Sequence, residues 1–307
     1  MMDTKLVERI ANAVLYEGYM LYPYRPSAVK NQRRFNFGVV YPRNYGIAHN
    51  EPYCMQTECL VEKDWRMALD VRVRFLHLTA RDGWQEAVER ELNAPALGID
   101  DLLALPRQIS FVFPPKRDSE TSKQERVEGN IEITAFQLTA REFKITTRIL
   151  NLTPLASGPY MGRDEALTRS LISTHTILSA RGGQFISLLD PPESLRELAD
   201  SCRNVGTYPV LVGAEGERDA MLSSPIILYD YPQIAPESAG DLFDGTEIDE
   251  MLTLRILTLT DEEKQEMRLG DPRARRILER TEALHAEQLM KLHGAARGLR
   301  QAEGDER

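Results

Sequence analysis

A strict alternation of apolar and charged residues over positions 70–78 constrains the fold of this chain more than any other feature. The alternating residues are Val71, Arg72, Val73, Arg74 and Phe75. Successive side chains of a strand point to opposite faces, so this pattern predicts a strand with one buried face and one exposed face.

Similar strand patterns fill the chain up to about Tyr231, and helical patterns follow. Strands are expected at 35–41, 54–61, 109–113, 208–213 and 225–229, with a hairpin at 130–152. Strands bunched in this way, without regular alternation with helices, predict an α+β fold. We expect a strand-rich, mostly antiparallel body with flanking helices and a C-terminal helical segment. The predicted domains are a strand-rich domain (1–235), a helical segment packed on it (236–297) and a frayed tail (298–307).

Helical periodicity predicts a helix near the N-terminus and further helices at 84–92, 164–178 and 193–202. Near the C-terminus, Thr260 and Glu263 have the spacing of a capping box. Asp271 followed by Pro272 fits an N-cap with proline at the first helical position.

The composition indicates a globular protein. The 307 residues are 42% hydrophobic, and the formal net charge of -9 disfavours wholesale nucleic-acid binding. No apolar run reaches the roughly 18 residues that a membrane helix needs. The three cysteines are too few, and odd in number, for a disulfide framework. These features favour a cytoplasmic protein.

Known catalytic and cofactor motifs are missing from the sequence. It contains no GxxxxGK[ST], GxGxxG, HExxH or GxSxG string. Cys54 and Cys59 are five positions apart, so in a strand they point to opposite faces and do not form a metal pair. We therefore expect no cofactor and favour a protein without catalytic activity.

The segment from Gly18 to Asn50 is unusual because it has basic and aromatic residues and no acidic ones. Such residues can be anchors for an acidic protein surface. They can also hold a phosphate backbone and stack on bases. A third interpretation is a tyrosine-rich strand pair with a solvated basic edge.

The residues from Glu237 to Glu250 have the opposite character. They include Asp241, Asp244 and Glu247 and no basic residue. Loop carboxylates can hold a hard cation such as Mg²⁺ or Ca²⁺. Alternatively, this acidic segment docks on the basic segment, in the same chain or in a second copy.

Long strings in the sequence resemble a family of uncharacterised proteins encoded alongside [NiFe] hydrogenase structural and maturation genes. The similar strings include Glu17 to Arg25, Phe37 to Val39, Ile227 to Glu250 and Leu257 to Lys264. The similarity extends from the first helix to about Arg280. The resemblance implies a role in the setting of hydrogenase maturation, and it carries no established reaction.

From these features we expect a non-enzymatic accessory or assembly factor that binds a hydrogenase subunit or a maturation protein. The expected partner anchors are Tyr22, Tyr24, Arg25, Lys30 and Arg34. A second expected surface contains Asp230, Asp241, Asp244 and Glu247. The sequence leaves homo-oligomer formation open.

The alternative is a metal-dependent enzyme. In that hypothesis Asp241, Asp244 and Glu247 hold a divalent ion, and Arg25 or Lys30 binds an anionic substrate.

Overall fold

The chain is described by a computed structural model. The described residues are 4–25, 27–28, 31, 34–81, 84–117, 122–155, 158, 160–233 and 249–285. They fall into two compact units. Unit 1 comprises residues 1–11 and 37–231, and unit 2 comprises residues 12–36 and 232–307. The predicted packing of 236–297 on the sheet domain stays a prediction.

Unit 1 is built on a strand-rich, antiparallel, curled sheet. The described strands are β1 (Cys54–Arg81), β2 (Trp84–Gly98), β3 (Arg107–Phe113), β4 (Lys116–Arg117), β5 (Lys123–Gln124), β6 (Val127–Gln137), β7 (Glu142–Asn151), β8 (Ile172–Ile186), β9 (Tyr208–Leu211) and β10 (Ala220–Ser224). Their order is β3-β6-β7-β1-β8-β10-β9, and β2 and β5 also pair with β1. The predicted α+β class is confirmed.

The described helices lie before, between and after these strands in the sequence. They are α1 (Thr4–Leu15), α2 (Arg43–His49), α3 (Ile99–Ala104), α4 (Arg163–Leu167), α5 (Arg196–Asp200), α6 (Asp249–Leu257), α7 (Asp261–Leu269) and α8 (Pro272–Glu282). Within the described ranges, no helix has both the length and the apolar character needed to cross a membrane.

The long strand β1 organises the sheet. Its first part, 54–62, pairs with β7, and its second part, 68–81, pairs with β2. Strand β8 pairs with both parts on the other edge, and its register shifts between Lys63 and Ala68. Register shifts of this kind bend a strand and increase its twist. The bend lets one strand belong to two differently oriented parts of the same sheet.

One face of β1 supplies much of the core. Its buried residues include Cys59, Val61, Leu69, Val71, Val73 and Phe75. Strands β6 and β7 contribute Ile131, Ile133, Phe143, Ile145 and Ile149 to the same cluster. The alternation predicted over 70–78 is confirmed for Val71, Val73 and Phe75, which lie in the interior of the curl. The opposite face is not exposed as expected, because Arg74, Leu76 and Leu78 are buried as well.

The opposite face of β1 carries a cluster of ion pairs with α1 and β2. The Arg74 side chain is only 7% exposed, and its guanidinium lies 3.5 Å from Glu8, 3.2 Å from Glu89 and 3.6 Å from Glu91. Arg72 also pairs with Glu8. A buried cation destabilises a fold unless carboxylates surround it. This requirement ties the first turns of α1 to the sheet.

Five buried hydroxyl groups lie on the core side of the sheet. Thr57 donates a hydrogen bond to Ser223 at 2.7 Å, and Ser223 is also 2.7 Å from the Thr207 hydroxyl. Thr147 lies opposite Thr57 on β7, and Thr176 lies opposite Ser223 on β8. The hydroxyls of Thr147 and Thr176 have no hydrogen-bond partner among the described residues. The Thr57–Ser223 bond links β1 to β10 across the buried face of the sheet.

Unit 2 contains α6, α7 and α8. The Thr260 hydroxyl accepts the Glu263 amide at 3.3 Å, and the Glu263 carboxylate accepts the Thr260 amide at 2.9 Å. The Asp271 carboxylate accepts the Arg273 amide at 2.7 Å at the start of α8. Both predicted helix starts are confirmed.

The helix predicted at 84–92 is wrong, because these residues belong to β2. Glutamate, alanine and arginine favour a helix locally, but cross-strand pairing overrides this preference. The register pairs Arg81 with Trp84, and Glu89 and Glu91 face Arg74 across the strands. The Asp82-Gly83 dipeptide between the paired residues is a strong hairpin signal in the sequence.

The helix predicted at 164–178 is only partly correct. Helix α4 ends at Leu167, and β8 begins at Ile172. The later residues are rich in isoleucine and threonine, whose branched side chains suit a strand. The strands expected at 35–41 and 225–229 do not form, although Val40 makes an isolated bridge to Leu171.

The buried hydrogen bond between Thr57 and Ser223 should stabilise the folded protein. Thr57→Val removes the hydrogen bond to Ser223 and should lower the free energy of unfolding by about 1 kcal/mol. Thr147→Val is the matched control, because it removes a buried hydroxyl that has no partner among the described residues, and it should not lower stability. Urea denaturation measures both. An equal loss in the two variants would contradict this interpretation.

Candidate functional site

The residues predicted to bind a partner fall into three groups in the structure. Lys30, Asp241, Asp244 and Glu247 lie outside the described residues. Tyr22, Tyr24, Arg25 and Arg34 belong to unit 2, and Asp230 belongs to unit 1. The roles predicted for the first group stay predictions.

In unit 2, the predicted aromatic anchors pack within their own unit. Tyr24 is fully buried, and its ring meets the ring of the half-buried Tyr22 edge-on at 6.3 Å. The Arg255 guanidinium lies 5.7 Å from the centre of the Tyr22 ring. These contacts join the segment around Tyr22 to helix α6.

Arg25 is held by two carboxylates of α7. Its guanidinium lies 2.9 Å from Glu263 and 3.4 Å from Glu266. The Ser27 amide also donates to Glu266, at 3.2 Å. Burial acts to raise the pKa of Glu266, but the hydrogen bonds from Ser27 and the charge of Arg25 outweigh it and hold this pKa below its usual value. The described contacts of Arg25 thus stabilise unit 2 itself.

Arg34 lies against aromatic rings near a buried carboxylate. Its guanidinium is 4.8 Å from the Phe35 ring centre and 5.7 Å from that of Tyr19. Burial lowers the pKa of Arg34, while Tyr19 and Asp271 oppose this shift. The Tyr19 hydroxyl donates to the buried Asp271 at 2.5 Å. The predicted use of these side chains as partner anchors stays a prediction.

Asp230 closes an edge of the sheet in unit 1. Its carboxylate accepts the Leu211 amide at 2.7 Å and the Ser187 hydroxyl at 2.5 Å. The Tyr231 amide donates to the Leu211 carbonyl at 2.8 Å. Strand β9 is the last strand of the sheet, and Pro209, two residues before Leu211, has no amide hydrogen to offer. The outer edge of β9 is therefore blocked against further strand pairing.

Exposed apolar side chains accompany Asp230, and we call Leu189, Tyr208, Ile227, Tyr229 and Asp230 together the Asp230 surface. The four apolar members are 55%, 46%, 73% and 60% exposed, respectively. Tyr208 pairs with Ser224, whose hydroxyl contacts both backbone groups of residue 226. The Ser187 hydroxyl accepts the amides of residues 189 and 190, which brings that turn to Asp230. The members thus lie on neighbouring chain segments.

The sequence indicates Asp230 as a candidate residue, but it gives no signal for the apolar members of this surface. Residues 225–229 were expected to form a strand, in which alternate side chains would be buried. The structure buries Leu228 and exposes Ile227 and Tyr229 on either side of it. The alternation is visible in the sequence, but the sequence does not show which of the alternate side chains are buried.

Two histidines are fully buried in unit 1. His77 Nε2 donates to the Glu125 carbonyl at 3.0 Å, and His175 Nδ1 donates to the Ser173 carbonyl at 3.1 Å. Burial is the main cause that lowers the pKa of each to about 4, and Arg90 adds to the effect at His77. Both rings are neutral near pH 7 and out of contact with solvent, so neither is placed to exchange a proton with a substrate.

Two of the three cysteines, Cys59 and Cys202, have thiols that stay protonated at neutral pH. Cys59 lies in the core, whereas Cys54 is half-buried with Arg148 Nε 3.4 Å from its sulfur, so the expected opposite faces are confirmed. Burial raises the pKa of the Cys59 thiol, and burial together with Glu58 raises the pKa of Cys202 to about 11. Protonated thiols are poor nucleophiles and poor metal ligands.

No group of three or more histidine, cysteine or carboxylate side chains in the described part of the chain could hold a metal ion. The carboxylates of the alternative metal hypothesis lie outside that part. Comparison with protein-family models finds no match to this chain, and a search of curated proteins finds none either. The Asp230 surface is the clearest candidate site that the geometry provides.

Asp230 should stabilise unit 1 through its two hydrogen bonds. Asp230→Ala leaves the Leu211 amide without its acceptor and should lower the free energy of unfolding by about 1–3 kcal/mol. Asp190→Ala, which removes an exposed carboxylate nearby, should change it by less than about 0.5 kcal/mol. Urea denaturation gives both values. Similar small effects in the two variants would show that Asp230 does not close the edge.

The buried histidines should make the protein less stable in acid. The unfolded chain binds protons near the ordinary histidine pKa of 6.5, whereas the folded rings resist protonation down to about pH 4. The stability that the neutral histidines contribute is therefore fully present above pH 6.5, and it is lost as the pH falls toward 4. Each ring should account for about 2 kcal/mol of the loss between about pH 8 and pH 5.

Histidine variants separate the contribution of these two rings to the pH dependence of stability from that of other groups that titrate in acid. His77→Gln and His175→Gln should each flatten the pH dependence of the unfolding free energy by about 2 kcal/mol over that interval, whatever they do to stability at pH 8. Urea denaturation at several pH values measures the slope. Variants that keep the full wild-type pH dependence would contradict the prediction.

Proposed function

We propose that this protein is a non-enzymatic accessory or assembly factor of a [NiFe] hydrogenase that acts by binding another protein. The observation that carries the binding role is the Asp230 surface, where four exposed apolar side chains and a carboxylate lie on neighbouring segments of unit 1. The hydrogenase setting comes from the resemblance of the sequence strings. One of those strings, Ile227 to Glu250, begins within this surface.

The composition of the surface supports binding to a protein. Tyrosine is enriched at protein interfaces because its ring offers a large apolar area with little conformational freedom to lose. The side chains of Tyr208 and Tyr229 are both about half exposed or more. Contiguous exposed apolar side chains of this size commonly mark interaction sites.

The surface is also held in a fixed shape. Asp230 joins the β9 edge to the turn after β8 through two hydrogen bonds, and Tyr231 adds a backbone bond to β9. A pre-organised surface loses less entropy on binding than a mobile one. The chemistry of the buried groups supports the same role, because the two buried histidines are neutral and the thiols of Cys59 and Cys202 are protonated near neutral pH.

Affinity purification tests this proposal. The tagged chain, isolated from cells that express the hydrogenase, should retain a hydrogenase subunit or a maturation protein. Ile227→Ala combined with Tyr229→Ala should reduce the retained amount by about tenfold or more, because truncation removes central apolar contacts. Phe136→Ala removes a side chain on β6 that is 64% exposed and serves as the matched control.

Two outcomes would count against the proposal. Recovery of the wild-type chain without any hydrogenase component would remove the hydrogenase role. Equal retention by the double variant and by wild type would show that binding takes place elsewhere on the chain.

A further inference from the structure

We infer that the Asp230 surface docks an apolar segment of another protein that carries arginine or lysine. This inference deepens the proposed function and rests on it, since it names the chemistry of the partner at the same surface. It follows from the charges that surround the exposed apolar side chains.

Carboxylates lie on two chain segments that are bonded to residues 230 and 231. Asp190 is exposed and directly follows Leu189, and its amide donates to the same Ser187 hydroxyl that donates to Asp230. On the second segment, the Tyr231 hydroxyl is hydrogen-bonded to the backbone of Gly216, beside the exposed Glu215. Three carboxylates, on Asp190, Glu215 and Asp230, therefore lie on the segments that meet here.

The described cations on these segments offset this charge only in part. Arg218 lies close to Tyr231, and its guanidinium donates to Gln184. Arg196, the basic residue of the helix that follows the turn, pairs with Glu193 at 3.0 Å. An apolar centre with an acidic rim is complementary to an apolar segment with basic side chains. Arginine suits it best, because its guanidinium also stacks on tyrosine rings.

A second copy of this chain fits the surface poorly. In a two-fold symmetric dimer each patch meets itself, so the Asp190 and Glu215 carboxylates of the two copies would face each other. Like charges brought together in this way oppose association. The formal net charge of -9 adds to the repulsion at longer range. The same sign of charge disfavours binding of nucleic acid to this surface.

Peptide binding tests the inference without knowledge of the natural partner. The probe is a dye-labelled peptide of alternating arginine and leucine, and its counterpart has glutamate in place of arginine. By fluorescence anisotropy, the wild-type full chain should bind the arginine peptide at least about tenfold more tightly than the glutamate peptide. Ile227→Ala with Tyr229→Ala should weaken that binding by about tenfold.

Charge-reversal variants distinguish the effect of the carboxylates at this surface from the effect of the net charge of the chain. Asp190→Lys with Glu215→Lys should weaken binding of the arginine peptide by at least about fivefold. Asp64→Lys with Asp164→Lys changes the net charge equally, at side chains that are 62% and 82% exposed elsewhere in unit 1, and should change binding by less than about twofold. Equal weakening by both pairs, or no preference for the arginine peptide, would overturn the inference.

The outcomes distinguish this inference from the proposed function. If the charge-reversed chain still retains a hydrogenase component as well as wild type does, the inference is overturned and the function stands. If the arginine peptide binds as described but no hydrogenase component is retained, the inference stands and the hydrogenase role is overturned. Sedimentation experiments test whether a second copy occupies the surface. If the wild-type chain sediments as a dimer and the Ile227→Ala/Tyr229→Ala variant as a monomer, a second copy is the occupant and the inference is overturned.

Discussion

The continuous core face of β1 is the constraint on which the rest of unit 1 depends. One strand of 28 residues pairs with β2, β5, β7 and β8, so its register sets the positions of most other strands. A slip of one residue would move its apolar side chains out of the core and its arginines into it. The ion pairs of Arg74 with Glu8, Glu89 and Glu91 on the outer face oppose such a slip, because a guanidinium moved into the core would lose all three carboxylates.

The candidate site follows from where this sheet ends. A terminal strand exposes backbone groups that can pair with any other strand, and proteins block such edges with side chains, prolines or short strands. Strand β9 shows all three devices, since it has four residues, contains Pro209 and has its Leu211 amide bound by Asp230. Blocking the edge with a side chain leaves Ile227 and Tyr229 facing outward. The site is thus a by-product of edge closure that suits recognition by side chains rather than by strand addition.

Apart from the α+β class, the features that the sequence predicted correctly are local ones. The alternation around Val73 and the capping pair of Thr260 and Glu263 are determined by neighbouring residues, so periodicity and spacing identify them. Strand β2 was missed because its composition favours a helix and only pairing with β1 makes it a strand. Asp230 was singled out for its charge, but its contact with Leu211 depends on residues distant in sequence. For the same reason no local pattern showed that Tyr208 would lie beside this segment.

Site-specific photo-crosslinking is the most direct test of the claim that the Asp230 surface binds a hydrogenase component, because it identifies the protein that contacts a chosen residue. A photoreactive phenylalanine analogue would be placed at position 227 in the full chain, and at position 136 as the control, in cells that express the hydrogenase. The account predicts a crosslink from position 227 to a hydrogenase subunit or maturation protein, and none to that protein from position 136. Crosslinks to it from position 136 alone, or equally from both positions, would contradict the assignment of the Asp230 surface as the binding site.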